Sequence, residues 1–419
     1  MGCVRSAVPV FFPLDEELGL LPGSLTPRLL EKVTLLSVWV PSFEKARQLL
    51  EQLTGAAVSE ASMRRVTYGA GREASAEEEA EVARLERETP EAPRGAEQMA
   101  LAVDGAFVPL VKRDGEWAEV RTLVIGQVAE GRCHSLSSFS RLCSAESFTH
   151  LALGEVQRRG VERAVRTGLL GDGAEWVQQF GDWHCPVAIR ILDCPHAAER
   201  VHALTALGAA GDAERGRRFG SELVKQLQEQ GPDGVLQVLR KVVAELGEAA
   251  HACAESAEPT AAGHLAYLEK RVEQMQYPLF AAAGWPIGSG MVESAHKQVM
   301  QERMKGPGMR WARKNVNPLL ALRNAVVNER WDETWRRVRE RRRRAVEERR
   351  RGRGQQKRAR QETAVPPAPL LEGDTLLVAV APPLAAVRAA SERRGPHPPA
   401  ANHPWRRFSI GAPQRRARL

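Results

Sequence analysis

No apolar run in this 419-residue chain approaches the roughly 18–20 residues needed to cross a bilayer. The opening Met1-Gly2-Cys3-Val4-Arg5 lacks a signal-peptide layout, because the short apolar stretch that follows ends in Pro13-Leu14-Asp15. Cysteine is scarce: six residues, at positions 3, 133, 143, 185, 194 and 253, too scattered for a disulfide framework. A reducing cytoplasm is therefore the expected compartment. There is no Gly-Lys-Ser/Thr phosphate loop, no Gly-x-Ser-x-Gly elbow and no His-Glu-x-x-His. Membrane, secreted and fibrous classes are excluded, and so are the commonest nucleotide-hydrolysing and serine-hydrolase motifs.

Positive charge is present in excess, but in one place. The net charge is +8, and 22 of the 60 Lys and Arg follow Trp335, against 7 of the 52 acidic residues. Residues 1–335 are net acidic. The excess gathers in Arg341-Arg342-Arg343-Arg344 and around Arg349-Arg350-Arg351-Gly352-Arg353. Such a block reads as an arm that neutralises phosphates without reading sequence. The plainer reading is a solvated helix extension followed by a disordered tail. Pro-rich residues 352–403 are expected to lack order.

Residues 1–72 read as a helical region. Phe43, Ala46, Leu49-Leu50 and Leu53 recur at helical spacing and stop at Gly55. Ser59 can then cap a short helix through Met63 and Val66 that leaves Arg64 and Arg65 outward. That outline is helix-turn-helix-like, although an ordinary helical hairpin fits it equally. Residues 73–98, with Glu77-Glu78-Glu79 and then Pro90 and Pro93, read as a charged helix running into a linker. Residues 99–103, 107–111 and 120–128 are Val/Leu/Ile-rich runs separated by Asp104-Gly105 and Asp114-Gly115, the pattern of an antiparallel meander. Two buried strands, 168–170 and 187–192, follow with helices between them. Three antiparallel strands followed by two helix-linked ones make an α/β, RNase H-like mixed sheet over residues 99–197. Residues 198–283 read as an all-helical insertion, 284–335 as the closing helices of the core, and 336–419 as a basic, mostly disordered tail.

Acidic residues sit where elements end: Asp104 after Val103, Asp172 after Gly171, Asp193 after Leu192. Carboxylates at the carboxyl ends of central strands point into the crevice where α/β sheets bind ligands. Several converging there repel one another unless a cation joins them, and hard oxygen donors suit Mg²⁺ or Mn²⁺. Two such ions, about 3.5–4 Å apart, activate water or a 3′-hydroxyl against a phosphodiester. Each residue also has a bland reading. Asp-Gly after a strand is commonly a turn, Glu293 can pair with Lys297, and Asp193 can cap a helix. His184, Cys185, Cys194 and His196 lack the spacing of a standard zinc knuckle.

The ordered set Leu101-Ala102-Val103-Asp104-Gly105, Gly171-Asp172-Gly173-Ala174-Glu175-Trp176, Ile191-Leu192-Asp193-Cys194-Pro195-His196-Ala197 and Pro286-Ile287-Gly288-Ser289-Gly290-Met291-Val292-Glu293 resembles the transposases of bacterial insertion sequences of the ISKra type, relatives of the Mutator-like DDE enzymes. Arg303-Met304, Gly308-Met309-Arg310-Trp311, Leu322-Arg323-Asn324 and Trp331-Asp332 continue the series. The resemblance runs from about Phe12 to Trp335. It implies an RNase H-like core interrupted by helices, with Asp104, Asp172 and Glu293 as catalytic metal ligands for two Mg²⁺ or Mn²⁺ ions. Asp193-x-x-His196 matches the family's signature downstream of the second carboxylate, which favours Asp172 over Asp193 for that place. Asp193 and His196 are then supporting residues. The implied partners are duplex DNA, at element ends and target, and further copies of the chain. Arg64, Arg65, Arg310, Trp311, Arg341, Arg342 and Arg343 are the expected DNA contacts. Relatives carry a cysteine-pair knuckle before the Phe12-Pro13-Leu14-Asp15 stretch. Only Cys3 stands there, so a truncated or inactive relict that merely binds DNA is the competing expectation.

Overall fold

The computed structural model describes residues 25–209, 211–247, 250 and 259–362. Cys3, the stretch from Phe12 to Asp15 and the expected tail beyond residue 362 lie outside them. Contacts divide the chain into Met1–Arg353 and Gly354–Leu419. Of the second unit, the described residues 354–362 are helical.

A five-stranded mixed sheet occupies the first unit, in the order β3-β2-β1-β4-β5. The strands are β1 (Gln98–Pro109), β2 (Trp117–Ala129), β3 (Arg132–Arg141), β4 (Arg166–Gly171) and β5 (Ile189–Leu192). Strands β1–β3 pair antiparallel, and β4 and β5 join β1 in parallel. The meander differs from the sequence expectation in two ways. Asp104-Gly105 is not a turn: β1 runs straight through it, and Asp104 pairs with Thr122 in mid-strand. The third strand is instead the Ser-rich β3, reached by a turn whose two residues, Glu130 (φ 50°) and Gly131 (φ 70°), both have the positive φ of a type I′ hairpin. Asp114-Gly115 does lie in the β1–β2 connection, where the Asp114 carboxylate accepts from Arg313 N at 2.8 Å.

β3 escaped recognition because it buries serines rather than aliphatics, and the reason lies on a distant helix, α12 (Arg313–Val327). Asn317, Asn324 and the flanking Asn328 each accept from a β3-side N–H and donate to the same residue's carbonyl. Their partners are Leu142 (2.8 and 3.0 Å), Ser140 (3.1 and 3.3 Å) and Ser138 (2.7 and 2.7 Å). Three amides at helical spacing thus stand in for a sixth strand and close an edge that would otherwise recruit another chain.

Helices cover both faces. Met99, Leu101, Val103, Leu123 and Ile125 pack against α4 (Ala145–Arg159) and α5 (Glu175–His184). Ala100, Ala102, Val124, Leu170 and Ile191 face the insertion helices α6 (Cys194–Gly208), α7 (Ala213–Gln230), α8 (Pro232–Leu246), α9 (Ala261–Glu269) and α10 (Tyr277–Ala282). Trp285 lies so close over β4 that a Cβ on Gly168 would stand 2.8 Å from its ring.

The N-terminal helices are not a separate reader. α1 (Pro27–Trp39) and α2 (Phe43–Thr54) form as the pattern requires, with Gly55 at φ 67° ending α2. Ser59 caps α3 as expected, but α3 runs 29 residues, Glu60–Glu88, straight through the expected boundary at residue 72 and most of the charged stretch after it. Its buried face (Met63, Val66, Ala70, Ala74) shares a core with α12 and Trp311. A helix held along its length in that core is not the short recognition helix of the expectation. Buried arginines lock this core. Arg303, 1% exposed, donates to Ser37 O and Pro41 O (2.8 and 3.0 Å) and lies over the rings of Phe43 and Trp311. Arg323, wholly buried, donates to Val299 O, Val38 O and Gln298 O. Those first and last carbonyls belong to a π-helical turn, His296–Gln301, that follows α11 (Gly290–Ala295). A π turn leaves carbonyls poorly satisfied, and Arg323 answers two of them.

Candidate active site

The registers assemble the site. Ala102 pairs with Leu170, and Leu170 with Ile191. Two residues farther along each strand path come Asp104, Asp172 and Asp193, on the face that meets the insertion. Neighbouring strands lie about 4.8 Å apart, so three aspartates stand in a row across the strand ends.

They are not equivalent. Asp193 is wholly buried. It occupies the start of α6, but its carboxylate does not cap that helix. One oxygen accepts from Ser289 N at 2.7 Å and the other meets His196 Nδ1 at 2.9 Å. Cys194 N donates to Ile287 O, and Tyr277 Oη to Leu192 O, both at 2.9 Å. The end of β5 therefore pins the loop of residues 284–289 and, through it, the start of α11. The hydrogen bond that His196 Nδ1 donates to Asp193 raises the imidazole pKa above its ordinary value.

Asp104 and Asp172 keep their carboxylates partly open. Asp172 accepts from Ala174 N at 2.9 Å, and Asp104 from Gly105 N at 2.7 Å. Burial first, then the Asp172 and Asp193 charges, raise Asp104 to about 6, against pulls downward from Gly105 N–H and His196. Glu293 lies exposed on α11, with Ser289 Oγ 3.4 Å from its carboxylate, and is not among the groups that shift Asp104. Among the described residues no set of three or more His, Cys, Asp or Glu side chains is arranged to hold a metal ion. The carboxylates form an open row rather than a closed cage. Their chemistry nonetheless suits a hard divalent cation, since positive charge relieves a half-buried carboxylate with like charges beside it.

His296 belongs to the site and was missed. It is 5% exposed, its Nδ1 lies 3.7 Å from Asp104 Oδ2, and its Nε2 has no hydrogen-bond partner among the described residues. Burial lowers it to about 4, so the ring is neutral at pH 7. The spacing Glu293-x-x-His296 was a usable signal, because residues three apart share a helix face. The π turn beginning at His296 is the kind of helical irregularity that gathers at functional sites.

The expected DNA contacts divide. Arg64 and Arg65 are exposed, Arg64 pairing with Glu60 and lying 5.0 Å over the Phe43 ring. Arg310 is exposed, beside Lys305, Arg313 and Lys314 on one loop and Lys112 and Arg113 on another. The two loops are tied by Val111 N donating to Trp311 O at 3.0 Å and Trp311 N to Pro109 O at 3.0 Å. Trp311 itself is 6% exposed and donates from its indole to Met304 O at 2.9 Å. An indole in that position supports the loop from beneath. On α13 (Trp331–Glu362), Arg341 pairs with Glu77 at 3.0 Å, Arg342 with Glu73, and Arg343 with Glu347 at 3.0 Å. Arg341 and Arg342 are thus paired with acidic residues of α3.

No protein-family profile matches the chain, and no curated protein is detectably similar to it. Among the described residues no helix is long and apolar enough to cross a membrane.

Proposed function

We propose that the chain is an RNase H-like, metal-dependent DNA transposase of the insertion-sequence type. The observation that carries the reading is the row of Asp104, Asp172 and Asp193 across adjacent strand ends, with Asp104 raised to about 6 by burial and by its two neighbours. The sheet order β3-β2-β1-β4-β5, three strands antiparallel and two joined in parallel, supports the RNase H-like assignment. So does the return of the chain to the sheet, after an all-helical excursion, on the helix bearing Glu293.

In this reading Asp104 and Asp172, with Glu293, hold Mg²⁺ or Mn²⁺. A bound cation would supply Lewis acidity at a phosphodiester and lower the pKa of the attacking water or 3′-hydroxyl. Asp193 fixes the loop that carries Glu293 and orients His196 toward the row. Buried and neutral, His296 backs Asp104 without competing for the cation's charge. Phosphates track the exposed basic residues around Arg310, while Asp114 and Glu116 offset the charge of Lys112 and Arg113. The test is strand cleavage of DNA taken from either side of the gene, with Mg²⁺ or Mn²⁺, comparing the wild type with Asp104→Ala. Metal-dependent nicks that vanish in the variant support the reading. Binding without nicking at any metal concentration supports the non-enzymatic relict instead, a reading favoured by the open arrangement of the carboxylates.

A further inference from the structure

The loop that carries Asp172 is held from outside the sheet. Tyr267, on α9, donates its hydroxyl to Asp172 O. Arg271, one turn later, donates from Nε to Gly173 O at 3.1 Å, again from Nη2 to the same carbonyl, and from Nη1 to Tyr267 O at 2.8 Å. Its guanidinium lies 3.8 Å from the Tyr267 ring centroid, and that of Arg200 lies 4.7 Å from it. Gly173 is at φ 74°, and a Cβ there would come within 2.3 Å of Arg271 Nε. Two consecutive carbonyls, those of Asp172 and Gly173, are therefore both engaged by α9 and the turn that directly follows it. Nothing in β4 itself does this, since its pairing with β5 ends at Gly171.

Resting on the transposase reading, the structure assigns Tyr267 and Arg271 as positioning residues: through the Asp172–Gly173 backbone, the helical insertion sets where the second carboxylate stands relative to Asp104. A carboxylate on an untethered Asp-Gly loop samples many positions, and a metal ligand must hold its place to within a fraction of an ångström. The insertion is then a working part of the site, and whatever shifts α9 shifts the ligand.

The test uses the full chain, first without DNA or metal. Tyr267→Phe keeps the ring beneath the guanidiniums and removes only the hydroxyl, while Arg271→Ala removes all three donors. Amide hydrogen exchange over residues 171–177 should quicken by about tenfold in each, with β1–β3 unchanged. Mn²⁺ titration followed by electron paramagnetic resonance should show half-saturation raised by about tenfold, the scale of losing a partner that orients a ligand. Metal-free affinity for duplex DNA should stay within about twofold, since neither residue is assigned a phosphate. Where turnover is measurable, kcat should fall with KM for DNA unchanged, and Arg271→Lys should recover part of it. Unchanged exchange at 171–177 overturns the proposal. DNA affinity that falls in step with kcat also overturns it, by making Arg271 a DNA contact. If Arg271→Ala fails to fold, Tyr267→Phe carries the decision alone. A wild type that neither binds Mn²⁺ nor cuts DNA defeats the transposase reading, while the exchange measurement still judges the clamp.

Discussion

The ends of β5 and β4 lie one strand apart and carry the same residue type, yet use it in opposite ways. At β5, Asp193 is wholly buried and both its oxygens are engaged, by Ser289 N and His196. At β4, Asp172 has one backbone partner, Ala174 N, and stays partly open, as Asp104 does on β1. An aspartate whose lone pairs are taken is a structural tie. One whose lone pairs are open, with like charges beside it, is available to a cation. Satisfaction rather than residue type separates the two roles.

The largest effect that could break this comparison is on cleavage. Asp104→Ala and Asp172→Asn should each lower the rate by about 10³-fold or more, because a shared metal ligand contributes several kcal/mol at the transition state. Asp193→Asn should leave a residue of activity, about 10–100-fold down, as for a group that orients others. The opposite ranking in single-turnover assays would exchange the two assignments.

Stability should rank them the other way. Asp193→Ala leaves Ser289 N and His196 without their buried partner and should cost about 3–5 kcal/mol in urea unfolding. Asp172→Ala, which loses one hydrogen bond at a partly open site, should cost only about 1 kcal/mol. Comparable losses at both positions would mean that the two strand ends are equally structural.

A smaller effect depends on pH. Asp104 sits at about 6 when folded, against 3.8 for an ordinary aspartate carboxyl. The folded chain therefore holds a proton that the unfolded chain has released. The stabilisation is full below about pH 4 and is lost as pH rises through about 6. Above that, the ionised carboxylate is a burden. Asp104→Asn should add about 1–2 kcal/mol of stability at pH 7.5 in metal-free buffer, and almost nothing near pH 4. A destabilised variant at pH 7.5 would show that the row is not crowded.

The same contrast of partnered and open groups separates the arginines. Arg341 and Arg342 face Glu77 and Glu73, whereas among the described residues no ion pair holds Lys305, Arg310 or Arg313. Replacing the latter three by Ala should reduce the slope of log affinity for DNA against log salt by about 2–3, and replacing Arg341 and Arg342 by less than about 1. Equal changes would mean that α13 leaves α3 to meet phosphate.

Much of the scaffold was legible in advance. The aliphatic runs located β1, β2, β4 and β5, Gly55 and Ser59 marked helix ends, and the insertion read as helical throughout. β3 was not legible, because Ser137, Ser138 and Ser140 are ordinary surface residues until α12 supplies amides from nearly two hundred residues away. The charged stretch after residue 72 read as a helix, but not as the continuation of the helix that Ser59 caps. Glu73, Glu77 and Glu81 look like solvated charge, and their partners lie far along the chain on α13.

The local order of residues determined which segments form most of the strands and helices, and it placed Asp172 and Asp193 just past the ends of β4 and β5. Those outcomes depend on neighbours a few positions apart, through periodicity, caps and turns. Tertiary structure alone decided that Asp193 is closed while Asp104 and Asp172 stay open, that His296 stands beside Asp104, that Trp311 lies beneath its loop, and that Arg341 and Arg342 are already paired. Each of these depends on a partner brought from far along the chain. A carboxylate or guanidinium carries the same formal charge in any sequence, and its field and pKa follow from what packs against it.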